Sequence, residues 1–299
     1  METREPLVVR IDEASSAWRP VDVLANRSLA EIVIVPLCSA DGPVSAASFG
    51  TTRRAGFSSG DHAALMRIAP ALRNACELLT LRQIELTLLG TYIGSTTARR
   101  ILGGRVRRGQ VETLQAALLL CDLRGFTELS NRLPVERVLE LLNVYFDRVV
   151  PAIAAEGGEI LKFMGDAVLA FFHCDAAADA CAAALRAAQG ALETLGAFTA
   201  PDAELVAGVA LHYGEVSYGN IGSGRRLDFT LIGPDVNLLS RIEGVCSTTG
   251  RPLLMSGRFA GLLASGNTVS IDRHALRGFA EPVELFALAR APVSEGDPS

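Results

Sequence analysis

Ala116-Ala117-Leu118-Leu119-Leu120-Cys121-Asp122-Leu123-Arg124-Gly125-Phe126-Thr127 decides how this chain is read. A short unbroken apolar run bounded by turn residues reads as a buried strand, and this one ends on a carboxylate. A Gly-containing turn and a helix start follow. The backbone N–H groups of Gly125, Phe126 and Thr127 therefore stand beside Asp122, where the positive end of the helix dipole suits a polyphosphate. A second carboxylate, Asp166, sits in a Gly165-Asp166 turn between Glu159-Ile160-Leu161-Lys162-Phe163-Met164 and Ala167-Val168-Leu169-Ala170-Phe171-Phe172. Carboxylates at strand ends are free to hold a hard cation such as Mg²⁺, which takes one or two of them and completes its shell with water and phosphate oxygens. Two such groups point to two-metal phosphoryl chemistry.

The chain has 299 residues, 49% hydrophobic and 20% charged, which fits one large domain or two ordinary ones with a well-packed core. A net charge of −5 without a basic stripe argues against nucleic acid as a partner and for a small molecule. The one basic cluster, Arg99-Arg100 with Arg105-Val106-Arg107-Arg108, reads as a solvated helix end and loop. No stretch reaches the ~18 uninterrupted apolar residues of a membrane span. The Ala-rich segment 175–192 is broken by Asp175, Asp179 and Arg186 and reads as a buried amphipathic helix. The N-terminus lacks the basic-then-apolar order of a secretory signal, and the six cysteines form no CxxC pair. A reduced cytoplasm is the expected location, with Cys121, Cys174 and Cys181 as small core residues.

Residues 1–75 contain a strand run, Glu31-Ile32-Val33-Ile34-Val35-Pro36-Leu37, a hairpin signal at Ala40-Asp41-Gly42-Pro43, and a helix opening near Ser58-Ser59-Gly60-Asp61, with Ser59 or Asp61 as its cap. This pattern resembles the later half of a GAF sensor domain and is too short for a whole one, which leaves a dimerisation module and a ligand sensor as readings. Residues 76–111 read as a helical linker. Leu81, Ile84 and Leu88 follow the step of a coiled-coil seam or of an ordinary amphipathic helix packed on its own domain, and Gly103-Gly104 and Gly109 mark a loop. Beyond it come strand 115–121, then a helix from Pro134 with Val138, Leu141, Leu142, Tyr145 and Val149 on one face. The 159–172 hairpin and the Ala-rich helix follow. Strands at 204–212, 214–221 and 228–232, a helix from 234 to 245, and β segments near 252–256, 268–272 and 283–289 complete the order. The fold class is α+β, a ferredoxin-like palm over 112–291 with additions, preceded by a small regulatory α/β segment and followed by a flexible tail, 292–299.

Cys121-Asp122-Leu123-Arg124-Gly125-Phe126-Thr127, Lys162-Phe163-Met164-Gly165-Asp166 and Thr230-Leu231-Ile232-Gly233-Pro234-Asp235-Val236-Asn237-Leu238-Leu239-Ser240-Arg241 resemble the three signatures of class III nucleotidyl cyclases, in the right order and with compatible separations. The resemblance runs from 112 to 289. It implies closure of a nucleoside triphosphate to a 3′,5′-cyclic monophosphate with release of pyrophosphate. By that resemblance Asp122 and Asp166, with the backbone carbonyl of Leu123, hold two Mg²⁺ or Mn²⁺ ions, Asn237 orients the ribose and Arg241 meets the α-phosphate. Asn237 and Arg241 are four residues apart, hence on one helix face, which on its own would be an ordinary polar face.

Adenine offers an acceptor at N1 and a donor at N6, so Lys162 as donor and Thr230 as acceptor match it, as in the bacterial adenylate-forming subclass that the pair resembles. Guanine-specific members place Glu and Cys there. Many relatives carry a further phosphate-binding lysine where this chain has Leu276-Arg277-Gly278-Phe279-Ala280-Glu281-Pro282, with only Arg277 nearby. His173, His212 and His274 lack metal-ligand spacing and read as structural. The expectation is a soluble homodimeric adenylate cyclase acting on ATP, each active site shared between two subunits. The alternatives are a non-catalytic cyclase-like signalling module and a guanylate cyclase.

Overall fold

The computed structural model describes residues 6–11, 29–37, 45–104, 109, 111–200, 202–223, 226–264, 266 and 268–289. The chain divides into two compact units, Met1–Leu88 and Leu89–Ser299.

In the first unit, β1 (Leu7–Arg10), β2 (Glu31–Pro36) and β3 (Ala46–Thr51) form an antiparallel sheet in that order, with Val33 and Val35 buried against Ala69 of α1 (Ser59–Ile93). The expected turn at Ala40-Asp41-Gly42-Pro43 lies outside the described residues; the strands flanking it pair from Glu31↔Thr51 to Pro36↔Ala46. The cap of α1 is Ser58, not Ser59 or Asp61 alone. Its hydroxyl accepts from Asp61 N at 3.2 Å, while the Asp61 carboxylate accepts from Ser58 N at 2.8 Å, a reciprocal box that satisfies two donors at once. Leu81, Ile84 and Leu88 are all exposed in this chain, so packing on its own unit does not account for them.

The second unit continues through α2 (Ser95–Leu102), β4 (Val111–Leu123), α3 (Phe126–Arg132), α4 (Val135–Ala155), β5 (Glu159–Met164), β6 (Ala167–Phe172), α5 (Ala177–Gly196) and β7 (Ala207–Ser223). It closes with β8 (Arg226–Ile232), α6 (Pro234–Thr249), β9 (Leu253–Ser256), α7 (Gly257–Ala260), β10 (Thr268–His274) and β11 (Val283–Leu288). The strands form one sheet in the order β10-β11-β9-β7-β4-β6-β5, with β8 on the later half of β7. Its centre, β7-β4-β6-β5, with α4 and α5 as the connections, is the ferredoxin-like β-α-β-β-α-β pattern, so the α+β palm is the observed fold.

β4 is buried on both sides, which is why it reads as a continuous apolar run. Alternate residues Ala117, Leu119 and Cys121 pack with Leu141, Tyr145, Val149 and the alanines of α5, while Ala116, Leu118 and Leu120 pack with Leu238, Leu239, Ile242 and Cys246 of α6. Alanines at 180, 184, 187, 188 and 191, all at 1% exposure or less, let α5 lie close to the sheet. Three details depart from the sequence reading. Pro134 is the N-cap of α4 rather than its first helical residue. Cys174 is exposed, beyond the end of β6, so it is not a core residue, whereas Cys121 and Cys181 are buried. The strands expected at 204–212 and 214–221 are one strand: Gly214 does not break it, because a Cβ there would overlap the Asp235 carboxylate, which accepts from Glu215 N at 2.7 Å.

Because Ala184 is fully buried, Ala184→Leu should push α5 off the sheet and destabilise the second unit by about 1–3 kcal/mol. A lowered urea midpoint with unchanged slope is the expected readout.

Candidate active site

Cys121 pairs with Val168 across β4 and β6, which brings the end of β4 level with the Gly165-Asp166 turn, where Gly165 takes φ 68°. Tyr145 Oη donates to the Cys121 carbonyl at 3.1 Å and fixes the strand one residue before the carboxylate. The Asp122 and Asp166 carboxyls are close enough for each to act on the other's charge. Burial pushes the Asp122 carboxyl up to about 7, the negative charges of Asp166 and Glu243 push the same way, and the Leu123 N–H pulls it down. Glu243, on α6, is likewise raised, first by burial and then by Asp166, while the Arg124 guanidinium lowers it.

Two neighbouring carboxyls at a half-buried strand end cannot both ionise without cost. A divalent cation between them removes that cost, and the donor set of two carboxylates and a backbone carbonyl is the hard-oxygen kind that Mg²⁺ or Mn²⁺ takes. Among the described residues no group of three or more His, Cys, Asp or Glu side chains is placed to hold a metal. A cation here would fill its shell with solvent and phosphate oxygens.

Gly125, at φ 67°, caps α3, and Gly125 and Thr127 are exposed beside Asp122 while Phe126 packs into the core. Arg124 turns away from this loop: its Nη2 donates to the carbonyls of Cys246, at 3.1 Å, and of Arg251. The loop is thus tied to the end of α6. Lys162 lies just past a register shift in β5, and its Nζ is 3.3 Å from Asp228 Oδ2. Thr230, on the same strand, is 4% exposed, whereas Asp228 is exposed beside Lys162. Sequence reasoning passed over Asp228, although its spacing of two from Thr230 on one strand puts both on one face. Asp228 lines a cavity of about 290 Å³ together with Lys162, Phe229, Asn220 and Leu227.

Asn237 and Arg241 are exposed on α6, whose buried stripe is Leu238, Leu239, Ile242 and Cys246. At 3.6 residues per turn, Glu243 is separated by about 120° round the helix from Asn237 and by about 160° from Arg241. Glu243 is near enough to Asp166 and Arg124 to feel their charges, while Asn237 and Arg241 are exposed on a different flank of the helix. Arg277 is exposed in the turn between β10 and β11. His212 is a buried anchor: Nδ1 is 2.7 Å from Ser256 Oγ and Nε2 3.2 Å from Asp235.

An α+β palm with paired strand-end carboxylates is the architecture of a nucleotidyl cyclase. The family model for the adenylate and guanylate cyclase catalytic domain matches residues 110–287, and the chain belongs to that family. It is 33% identical over 156 residues to the adenylate cyclase of Anabaena cylindrica, covering 50% of this chain and 30% of that one. Among solved structures it is similar to the adenylyl cyclase CyaB from P. aeruginosa, with a TM-score of 0.54 and 27% identity over 61% of this chain and 97% of that one. It is also similar to a bacterial light-regulated adenylyl cyclase, with a TM-score of 0.61 and 25% identity over 74% of this chain and 65% of that one. The chain spans less than half the length of the curated relatives it matches. No helix among the described residues is long and apolar enough to cross a membrane.

The raised Asp122 carboxyl carries a pH signature. The folded state holds that proton more tightly than the unfolded chain, so the associated stability is present at acid pH and is lost as pH rises through about 7. Metal-free protein should therefore lose thermal stability on going from about pH 5 to about pH 8, and Asp122→Asn should remove most of that loss. Adding Mg²⁺ or Mn²⁺ at the higher pH should raise the Tm of the wild type and leave the variant unmoved. Equal pH dependence in the two proteins would contradict the assignment.

Proposed function

We propose that this chain is an adenylate cyclase that converts ATP to 3′,5′-cyclic AMP and pyrophosphate with two divalent cations, at composite sites formed by two copies of the chain. The observation that carries this reading is the division of labour on α6: Glu243 lies within the electrostatic reach of the chain's own carboxylates, while Asn237 and Arg241 are exposed on another flank. A second copy related by a two-fold axis supplies each site with the half it lacks. Apolar side chains exposed beside the key residues support that association: Phe163 and Met164 next to the Asp166 turn, and Leu227 and Ile232 on the strand of Thr230.

Held by Asp122, Asp166 and the Leu123 carbonyl, divalent cations would acidify the ribose 3′-hydroxyl and neutralise the triphosphate. The chain's own groups do the rest. Backbone N–H groups of Gly125, Phe126 and Thr127 receive phosphate oxygens. The Asn237 amide holds the ribose so that O3′ lies in line with the α-phosphorus. Arg241, always charged and able to donate two parallel hydrogen bonds, meets the charge that gathers on the α-phosphate in the transition state. Lys162 Nζ donates to adenine N1, and the Thr230 hydroxyl accepts from N6. Asp228 holds the lysine at the strand edge in the absence of a base. Likeness to the adenylate cyclase of Anabaena cylindrica and to adenylate cyclase 1 of Rhizobium meliloti, 33% and 32% identical, supports ATP over GTP.

The purified chain should form cyclic AMP from ATP with Mg²⁺ or Mn²⁺, and cyclic GMP from GTP with lower kcat/KM. A larger kcat/KM for GTP would overturn the adenylate reading. Absence of both products with either metal would leave a cyclase fold without the activity.

A further inference from the structure

Residues 92–101, where α1 gives way to α2, make contacts for which the catalytic reading has no use. Gly94, at φ 82°, lies so close to β5 that a Cβ there would come within 3.2 Å of the Ile160 carbonyl. The pairing of β5 with β6 shifts register between Ile160 and Lys162, and such a bulge re-aims the side chain that follows it. The junction therefore presses on the backbone that sets the direction of Lys162.

One turn further along, Thr97 Oγ1 is 2.8 Å from Tyr218 Oη, and each residue is 1% exposed. Tyr218 Oη donates to Glu159 Oε1 at 3.1 Å. A phenol has one proton, so with that proton on Glu159 the Thr97 hydroxyl is the donor to Tyr218, and the chain of hydrogen bonds has one direction. Arg100 of the same helix lies over the Tyr218 ring at 4.7 Å and pairs with Glu112 at 2.6 Å. Glu159 opens β5 three residues before Lys162. Tyr218 faces Leu231 across β7 and β8, next to Thr230, and its ring meets that of Phe229 at 4.6 Å. Buried polar groups of this kind are costly unless each is satisfied, and once satisfied they admit a single arrangement.

We infer that the Thr97–Tyr218–Glu159 hydrogen-bond chain is a positioning hub by which α2 holds β5 and β8 in the relative placement that lets Lys162 and Thr230 read the base; this rests on the cyclase reading above. The linker is then a wall of the base pocket and not only a connector. Tyr92, Ile93 and Ile101 line the same cavity as Lys162 and Asp228. The carboxylates depend on other contacts, the β4–β6 pairing and Tyr145, so the hub acts on base discrimination and leaves cation binding alone.

The test uses the whole chain with Thr97→Val, which keeps the volume and removes the hydroxyl, Thr97→Ser, which restores it, and Tyr218→Phe. For each, kcat/KM is measured with ATP and with GTP, together with the Mn²⁺ concentration giving half-maximal activity. Thr97→Val and Tyr218→Phe should reduce the ATP-to-GTP ratio on the order of tenfold, the scale of one hydrogen bond's alignment. Thr97→Ser should stay near wild type, and the Mn²⁺ requirement should not move. If Thr97→Val does not fold, Tyr218→Phe carries the test, since it keeps the ring contacts. An unchanged ratio in a folded variant, with both rates falling together, would overturn the hub. A wild-type chain that forms neither product would instead remove the cyclase reading on which the hub rests.

Discussion

The closeness of the Asp122 and Asp166 carboxyls is the constraint on which the rest of the second unit depends. Two like charges do not stay together unaided, and here burial and the nearby Glu243 add to their repulsion. What holds them is the backbone: β4 is paired along its length with β7 and near its end with β6, and Tyr145 binds the carbonyl of Cys121. Behind that stand two cores, one on each face of β4, that make the strand immobile. The fold thus holds two carboxyls close together at one point, at a cost that apolar burial elsewhere offsets.

Helix α6 carries the consequence outward. Its buried stripe rests on the sheet, Glu243 on one flank lies within the electrostatic reach of the chain's own carboxylates, and Asn237 and Arg241 are exposed on another. Arg124 ties the phosphate-facing loop to the carbonyls at the end of this helix, so the loop and the helix form one rigid piece. At its other end Asp235 is locked against Gly214 and His212, two residues before Asn237. The helix is thus anchored at both ends with Asn237 and Arg241 exposed, and in the proposed composite site these two serve the partner copy.

Much of this was legible in the sequence because it is local. An apolar run that ends in Asp, and a hairpin with Gly-Asp at its turn, announce both strands and both carboxylates through periodicity alone, and the Asn237–Arg241 spacing gives a shared helix face. What escaped was long-range. Gly214 looked like a break between strands, since nothing local shows that Asp235 fills the space its missing Cβ leaves. Asp228 was passed over because its partner Lys162 is 66 positions away. Thr97 and Tyr218 are 121 positions apart and neither stands in a motif. Cys174 was read as core from residue type, yet it lies past the last paired residue of β6, where the sheet no longer covers it.

The most direct measurement of the central claim, that each site is divided between two copies, mixes two inactive chains. On the proposed assignment Asp166→Ala lacks a cation ligand and Asn237→Ala lacks the ribose contact, and a mixed dimer would have one site with both lesions and one with neither. With demonstrated random exchange of subunits, the mixture should recover up to about a quarter of wild-type activity, since half the dimers are mixed and each has one intact site. No recovery under those conditions would mean that Asn237 and Asp166 of the same chain serve the same site, or that the dimer is not where catalysis occurs.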